Sequence, residues 1–264
     1  MNKEHLDKSI MKFNCALEFE RKIVGVKFLF NKMEYEAAGV QEIKNTLNYC
    51  VMVKLATTGK ALKSTGDKLA CAAGARAIGL REIDDYHRGG QNGKRLGLYR
   101  DPTTAKKVRD GMSYCDHKAY GIMVKPLDQF NQEQEPDVVI IVTNPYNVMR
   151  IVQAYSYSCG IQTHYKMTGN QAICSESTAY PYLNNDINVS MLCIGTRHRA
   201  GWKDNELVAA FPFNLFEKIV EGIMETINIM ENNQKKEIIE KKLHDYGIRD
   251  FRIRYNYNYY DNNL

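Results

Sequence analysis

Residues 137–143 read Asp-Val-Val-Ile-Ile-Val-Thr, an apolar run that ends in the turn dipeptide Asn144-Pro145. A short apolar run bounded by turn residues is typical of a strand that is buried on both faces of a sheet. Residues 23–30, Ile-Val-Gly-Val-Lys-Phe-Leu-Phe, have the same character. The two runs therefore predict two buried strands, one in each half of the chain.

The segments around these strands alternate between helical and extended patterns, which predicts an α+β (mixed α/β) fold. In the first helix, for example, Leu6, Ile10 and Phe13 recur at steps of three and four residues. A polar linker over residues 128–135 separates the two halves. The pattern predicts further helices over residues 3–20, 40–62, 102–111, 148–155 and 213–231, and further strands over residues 95–99, 121–125 and 206–211.

Two segments that contain cysteine resemble each other. Residues 69–80, Leu-Ala-Cys-Ala-Ala-Gly-Ala-Arg-Ala-Ile-Gly-Leu, can be laid over residues 191–202, Met-Leu-Cys-Ile-Gly-Thr-Arg-His-Arg-Ala-Gly-Trp, at an offset of 122. Residues 94–99 and 206–211 also match, at an offset of 112, and the helices that follow them are expected to correspond.

This internal duplication predicts one globular unit of two pseudo-symmetric halves, about residues 20–125 and 136–232. Helices are expected to pack on short sheets in each half. Residues 245–264 are expected to form a C-terminal tail that is either frayed or docked on another subunit. The second alternative would make the protein a homo-oligomer.

Four of the seven cysteines form matched pairs, one pair in each half. Cys50 and Cys71 are 21 residues apart, and Cys174 and Cys193 are 19 apart. If the halves are related by a pseudo-twofold axis, the four thiols meet at one internal interface. Four cysteine thiolates bind either an iron–sulfur cluster or zinc. An iron–sulfur cluster, of the 4Fe–4S type, is the preferred interpretation, with zinc as the weaker one.

Four other residues are predicted to help hold such a cofactor. Arg76, Arg197 and Arg199 follow the second cysteine of each pair and would offset the negative charge of the thiolates. Asn144 follows the strongest predicted strand, where α/β sheets often place ligand contacts.

Two other roles for the cysteines remain open. Free cysteine is among the most buried residue types, so the four thiols would also fit a structural core. Alternatively, Cys71 or Cys193 acts as a reactive thiol, because a cysteine at the start of a helix ionises more readily.

Composition excludes several classes of protein. The formal net charge is +5 without a dense basic stripe, which argues against nucleic-acid binding. No apolar run approaches the ~20 residues of a membrane span. An odd number of cysteines without an export signal predicts reduced thiols and a cytoplasmic location.

A further set of segments is Val24–Phe28, Cys71–Ala75 with Gly79-Leu80, Pro136–Ile140, Asn144-Pro145, Met149–Tyr155, Cys174, Pro181-Tyr182, Asn188–Ser190, Cys193–Gly195 and Arg197. Together these segments resemble the uncharacterised family called domain of unknown function 169. The resemblance covers roughly residues 20–225, although Ala72 stands where the family often has proline. It implies an intact fold, found commonly in anaerobic bacteria and archaea, and it implies that the cysteine segments matter, but no established activity.

Together these features predict a cytoplasmic iron–sulfur protein of anaerobic metabolism that acts on a small-molecule substrate or an electron-transfer partner. As an enzyme it would be an iron–sulfur-dependent oxidoreductase or lyase. The alternative is a cofactor-free binding protein or thiol-dependent enzyme with its pocket between the two halves.

Overall fold

The computed structural model describes residues 1–116 and 118–255 of the chain. Within these residues the fold is the predicted mixture of α and β, with twelve α-helices and one seven-stranded mixed sheet. The strands are β1 Val24–Leu29, β2 Gln41–Glu42, β3 Leu62–Thr65, β4 Gly121–Pro126, β5 Val138–Thr143, β6 Asn188–Ser190 and β7 Leu207–Pro212. The helices are α1 Lys3–Leu17, α2 Lys32–Ala37, α3 Tyr49–Ala56, α4 Ala72–Ala77, α5 Asp85–Arg88, α6 Gln91–Arg95, α7 Pro102–Gly111, α8 Pro145–Cys159, α9 Tyr180–Asn184, α10 Ile194–Ala200, α11 Phe216–Met230 and α12 Asn233–Asp245.

The sheet has the strand order β2-β3-β4-β1-β5-β7-β6. The two strands predicted from the strongest apolar runs, β1 and β5, lie side by side at its centre, antiparallel, with Val24 opposite Ile140. The prediction of separate short sheets is therefore wrong. The strands β1 and β5 cover each other's open edges and join both halves into one sheet. Only the short pair β2–β3 is parallel.

Helices cover both faces of the sheet because its central strands are apolar on both faces. Val139 and Ile141 of β5 face a core formed with α1, α8, α11 and α12. Val138 and Ile140 face a second core on the opposite side. This second core contains α3 and a π-helix, Ala172–Ala179, with α4 and α10 packed against them.

Two segments differ from their predicted structure. Residues 40–62, predicted as one helix, contain β2 and the shorter helix α3, which begins after the N-cap residue Asn48. Residues 95–99, predicted as a strand, are the end of α6 and a turn in which Gly97 has φ +70°. The apolar Leu96 and Leu98 of this turn are exposed, because no sheet edge is there to pair with them.

The two halves contribute strands to the sheet in the same order. From the centre outward the first half supplies β1, β4 and β3, and the second supplies β5, β7 and β6. Both β4 and β7 stand next to a central strand in this order. The match at an offset of 112 is therefore wrong, since residues 94–99 do not occupy a strand position. The helices α7 and α11 do not correspond either, because α7 precedes β4 whereas α11 follows β7.

The described part of the predicted C-terminal tail packs on the first core. Ile248 is buried there, and Phe251 and Ile253 pack against the same cluster. The backbone N–H of Arg254 donates to Asn228. Residues 256–264 of the predicted tail lie outside the described residues. Among the described residues, no helix is both long and apolar enough to cross a bilayer.

Candidate functional site

A cavity of about 110 Å³ lies in the second core, and all four paired cysteines line it. Cys174 is buried, and Cys50, Cys71 and Cys193 are partly buried. The four cysteines with matched spacing thus lie around one cavity, and the other three cysteines do not line it. The remaining lining residues are Tyr49, Gly74, Gln171, Ala172, Ile173, Gly195, Thr196 and Arg199.

Each of these four cysteines stands at the start of a helix. Cys50 is the second residue of α3, and Cys174 is the third residue of the π-helix. Cys71 and Cys193 are the N-cap residues of α4 and α10. Backbone N–H groups in a first helical turn have no partner within the helix, so they are free to bond sulfur. The Gly74 N–H does so, donating to Cys71 Sγ at 3.4 Å.

Backbone pairing holds the first two cysteines side by side. Leu47, just before α3, forms a parallel bridge with Leu69, just before α4. The Leu47 N–H donates to the Lys68 carbonyl, and the Ala70 N–H donates back to Leu47. The positions of Cys50 and Cys71 are thus fixed by main-chain hydrogen bonds a few residues away.

The other two cysteines follow residues in the left-handed backbone region. Gln171 has φ +53° and precedes the π-helix that carries Cys174, and Leu192 has φ +61° and precedes Cys193. A bulky residue rarely adopts this conformation, and such strain is concentrated at functional sites in proteins. The backbone is therefore locally strained just before each of the two helices that carry these cysteines.

The π-helix is fixed by buried polar contacts. Its Thr178 hydroxyl donates to the Ile173 carbonyl and accepts from the Tyr49 hydroxyl at 2.9 Å. The buried carboxylate of Glu176 accepts hydrogen bonds from the Thr168 N–H at 2.6 Å and from the Ser190 hydroxyl. These contacts tie the π-helix to α3 and β6. A π-helix is rare and is often found at functional sites.

Burial raises the pKa of the Cys174 thiol well above its usual value, and the neighbouring thiols raise it further. Burial also raises the pKa of Cys50, and the nearby Thr196 hydroxyl works against that rise. Both thiols are therefore neutral at pH 7 in the metal-free protein. A bound metal would have to displace their protons, as thiolate ligation generally requires.

Two polar side chains in the cavity wall lack full hydrogen bonding. The buried Thr196 Oγ1 and Gln171 Oε1 make no hydrogen bond of normal geometry with any described residue. The amide of Gln171 also lies beside the Tyr114 hydroxyl. Unpaired buried polar atoms are costly, so these two side chains are the polar groups of the cavity wall that a ligand could satisfy.

A site for a single metal ion and a site for a metal cluster need different distances between the ligand sulfur atoms. Tetrahedral zinc with Zn–S bonds of about 2.3 Å needs sulfur atoms about 3.8 Å apart. Among the described residues, no three Cys, His, Asp or Glu side chains are close enough to hold one ion. A cluster is wider than a single ion, so its ligand sulfurs stand further apart. The cavity has room for several water molecules, which is more space than a single ion needs.

A family profile described as the uncharacterised ArCR family, domain of unknown function 169, matches residues 12–222. The chain belongs to this family. It is also 28% identical over 225 residues to the uncharacterized protein MJ0308 of Methanocaldococcus jannaschii, an alignment that covers 84% of this chain and 95% of the relative. No solved structure matches the chain.

Of the four other residues predicted for the site of this DUF169 chain, Arg199 lines the cavity, and the structure places the remaining three away from it. Arg76 pairs with Asp84 at 3.2 Å and donates to the Glu82 carbonyl. Arg197 donates to main-chain carbonyls, including that of Met191 at 2.7 Å. Asn144 caps α8 instead. Both arginines hold loops that flank a cysteine helix, so their effect on the cavity is indirect.

The sequence did not single out Gly74, Gln171 or Thr196 as members of the site. Gly74 lies where a Cβ would be 3.7 Å from Cys71 Sγ and 3.8 Å from Cys174 Sγ. The only signal was that Gly74 and Thr196 each stand three residues after a paired cysteine. That spacing puts them on the first turn of α4 and α10, next to the cavity.

Proposed function

We propose that this protein binds an iron–sulfur cluster of the 4Fe–4S type through Cys50, Cys71, Cys174 and Cys193. The observation that carries the proposal is that four thiols from distant parts of the chain line one cavity. Soft thiolate sulfur is the ligand that iron–sulfur clusters require, and four cysteines are a complete ligand set.

The surroundings of the cavity suit an anionic cluster. A cluster with four thiolate ligands is negatively charged, and N–H donors around it lower the cost of burying that charge. The helix starts supply such donors, as the Gly74 N–H already does for Cys71. The Thr196 hydroxyl is a further donor beside Cys50, and it favours the thiolate form of that cysteine.

The strand order supports the idea that the halves are duplicated. β1, β4 and β3 follow the same order from the sheet centre as β5, β7 and β6. The cysteines Cys71 and Cys193 each follow the outer of these strands, β3 or β6. We propose that the two halves are pseudo-symmetric and that the cluster lies between them.

The role we propose is redox or substrate activation in anaerobic metabolism, in the cytoplasm. A cluster held by four cysteines suits electron transfer to a partner. A cluster that releases one thiolate can bind and activate a small molecule, as an oxidoreductase or lyase would.

Thiol chemistry without metal is the second proposal. It is favoured by the hydrogen bond from the Gly74 N–H to Cys71 Sγ, because such a contact stabilises a thiolate at a helix start. The described residues that line the cavity include no histidine or carboxylate to act as a base. The cluster proposal therefore explains more of the residues that line the cavity than thiol chemistry does.

Anaerobic reconstitution of the purified protein with ferrous iron and sulfide tests the first proposal. We expect a brown protein with absorption near ~400 nm and about four iron atoms and four sulfides per chain. A parallel sample receives zinc alone, and we expect it to bind less than one zinc ion per chain. A protein that stays colourless and iron-free after reconstitution would overturn the cluster proposal.

Gly74→Ala should reduce cluster binding without removing a ligand. The new methyl group would make ordinary contacts at 3.7–3.8 Å with two sulfurs in the metal-free protein, but it would occupy space in the cavity. Alanine is also favoured over glycine in a helix by roughly 0.5–1 kcal/mol. We expect unchanged or higher stability in urea with at least a several-fold lower iron content. Full iron content in this variant would show that the cluster does not lie against α4.

A further inference from the structure

The cavity opens to solvent along α10. Gly195 and Arg199 of this helix are exposed, whereas Tyr49, Ile173 and Cys174 on the opposite wall are buried. A Cβ on Gly195 would meet no atom within 4 Å, so the space above it is free. Gly195 and Arg199 are four residues apart and therefore share one face of the helix. A molecule that reaches the thiols arrives past this face.

Arg199 is the only charged residue among the described residues of the cavity wall. The neighbouring Arg197 is occupied by main-chain carbonyls, and Arg76 by Asp84. Arg199 forms no hydrogen bond or ion pair within the described chain, so its guanidinium is available to a ligand. An unpaired cation at the mouth of a small cavity attracts anions and repels cations.

We propose that Arg199 selects small anionic molecules for the cysteine cavity. The ligand carries a carboxylate or another planar oxyanion, which the guanidinium binds with two parallel hydrogen bonds. The rest of the ligand lies above Gly195, next to Cys193. This inference deepens the proposed function and rests on it. The anion would be the substrate, and it would reach the cluster from the open side of the cavity.

The test compares two alkylating reagents on the metal-free, phosphine-reduced protein. Iodoacetate is an anion and iodoacetamide is a neutral molecule of similar size. The modification rate of Cys193 is measured by mass spectrometry of its peptide. The ratio of the two rates cancels any change in thiolate fraction, so it reports how strongly the entrance favours an anion.

Arg199→Gln is expected to lower the iodoacetate-to-iodoacetamide rate ratio by about 3- to 10-fold, and Arg199→Glu should lower it further. Arg199→Lys keeps the charge and should keep the ratio. Lys32→Gln removes the same charge from an exposed side chain on α2, whose Tyr35 belongs to the opposite core, and should change nothing. The difference between wild type and Arg199→Gln should largely vanish at about 1 M salt.

An unchanged ratio in Arg199→Gln, or an equal fall in Lys32→Gln, would overturn the inference. These outcomes do not depend on iron. If the ratio falls but reconstitution yields no iron, the anion selection holds and the cluster proposal fails. If iron binds and the ratio does not move, the cluster stands and Arg199 has no selective role.

Discussion

Cys174→Ser is expected to abolish iron and sulfide binding almost completely. Cys174 lies deepest of the four cysteines, in the wall formed by the π-helix. Serine is close to cysteine in size but is a poor ligand for a cluster, because soft sulfur is replaced by hard oxygen. Water reaches the buried wall of the cavity least, so it cannot replace the lost ligand there. Iron, acid-labile sulfide and absorption near ~400 nm should each fall at least tenfold after anaerobic reconstitution.

Cys159→Ser is the matched control. Cys159 is exposed at the end of α8, on the face of the sheet opposite the cavity. It should retain the iron content of the wild type. The iron content of Cys193→Ser is expected to lie between those of Cys174→Ser and the wild type. Cys193 stands at the open side of the cavity, where another ligand can enter. If the wild type and Cys159→Ser bind iron, an equal iron content in Cys174→Ser would exclude Cys174 as a ligand.

Part of this site was accessible from the sequence because four of the cysteines have matched spacing. The matched spacing of Cys50 with Cys71 and of Cys174 with Cys193 predicted that the four thiols would meet, and they do line one cavity. Apolar runs also identified the central strands β1 and β5, which any sheet in this chain has to bury. The role of the four cysteines as ligands stays a prediction that reconstitution must test.

Other features depended on tertiary contacts that no local pattern records. Residues 95–99 have the alternation of a strand, but a strand forms only where a neighbouring edge is available. The break before α3 was signalled by Asn48, a typical N-cap residue, which the long helical periodicity obscured. The π-helix and the strained Gln171 arise from packing against α3 and β6, so they were not predictable.

Arg150→Met is expected to destabilise the fold by about 3–5 kcal/mol at pH 7, as measured by urea unfolding. Arg150 is fully buried, and its Nε donates to Glu231 at 2.8 Å, which links α8 to the end of α11. Its Nη1 also donates to Thr226. Methionine would fill much of the space, but Glu231 would lose its fully buried cationic partner and keep only Lys235, at 3.2 Å. Iron binding should be unaffected, because this pair belongs to the core on the opposite face of the sheet.

The pH dependence and a double variant identify the cause of that loss. Burial acts to raise the pKa of Glu231, but hydrogen bonds from Tyr146 and Arg150 bring it below its usual value of 4.5. A lowered pKa stabilises the fold above pH 4.5, and this contribution is lost as the pH falls through the native pKa. The penalty of Arg150→Met should therefore shrink near pH 4, where Glu231 in the variant becomes protonated. Arg150→Met/Glu231→Gln should recover much of the stability at pH 7, whereas additive losses would show that the charge pair is not the cause.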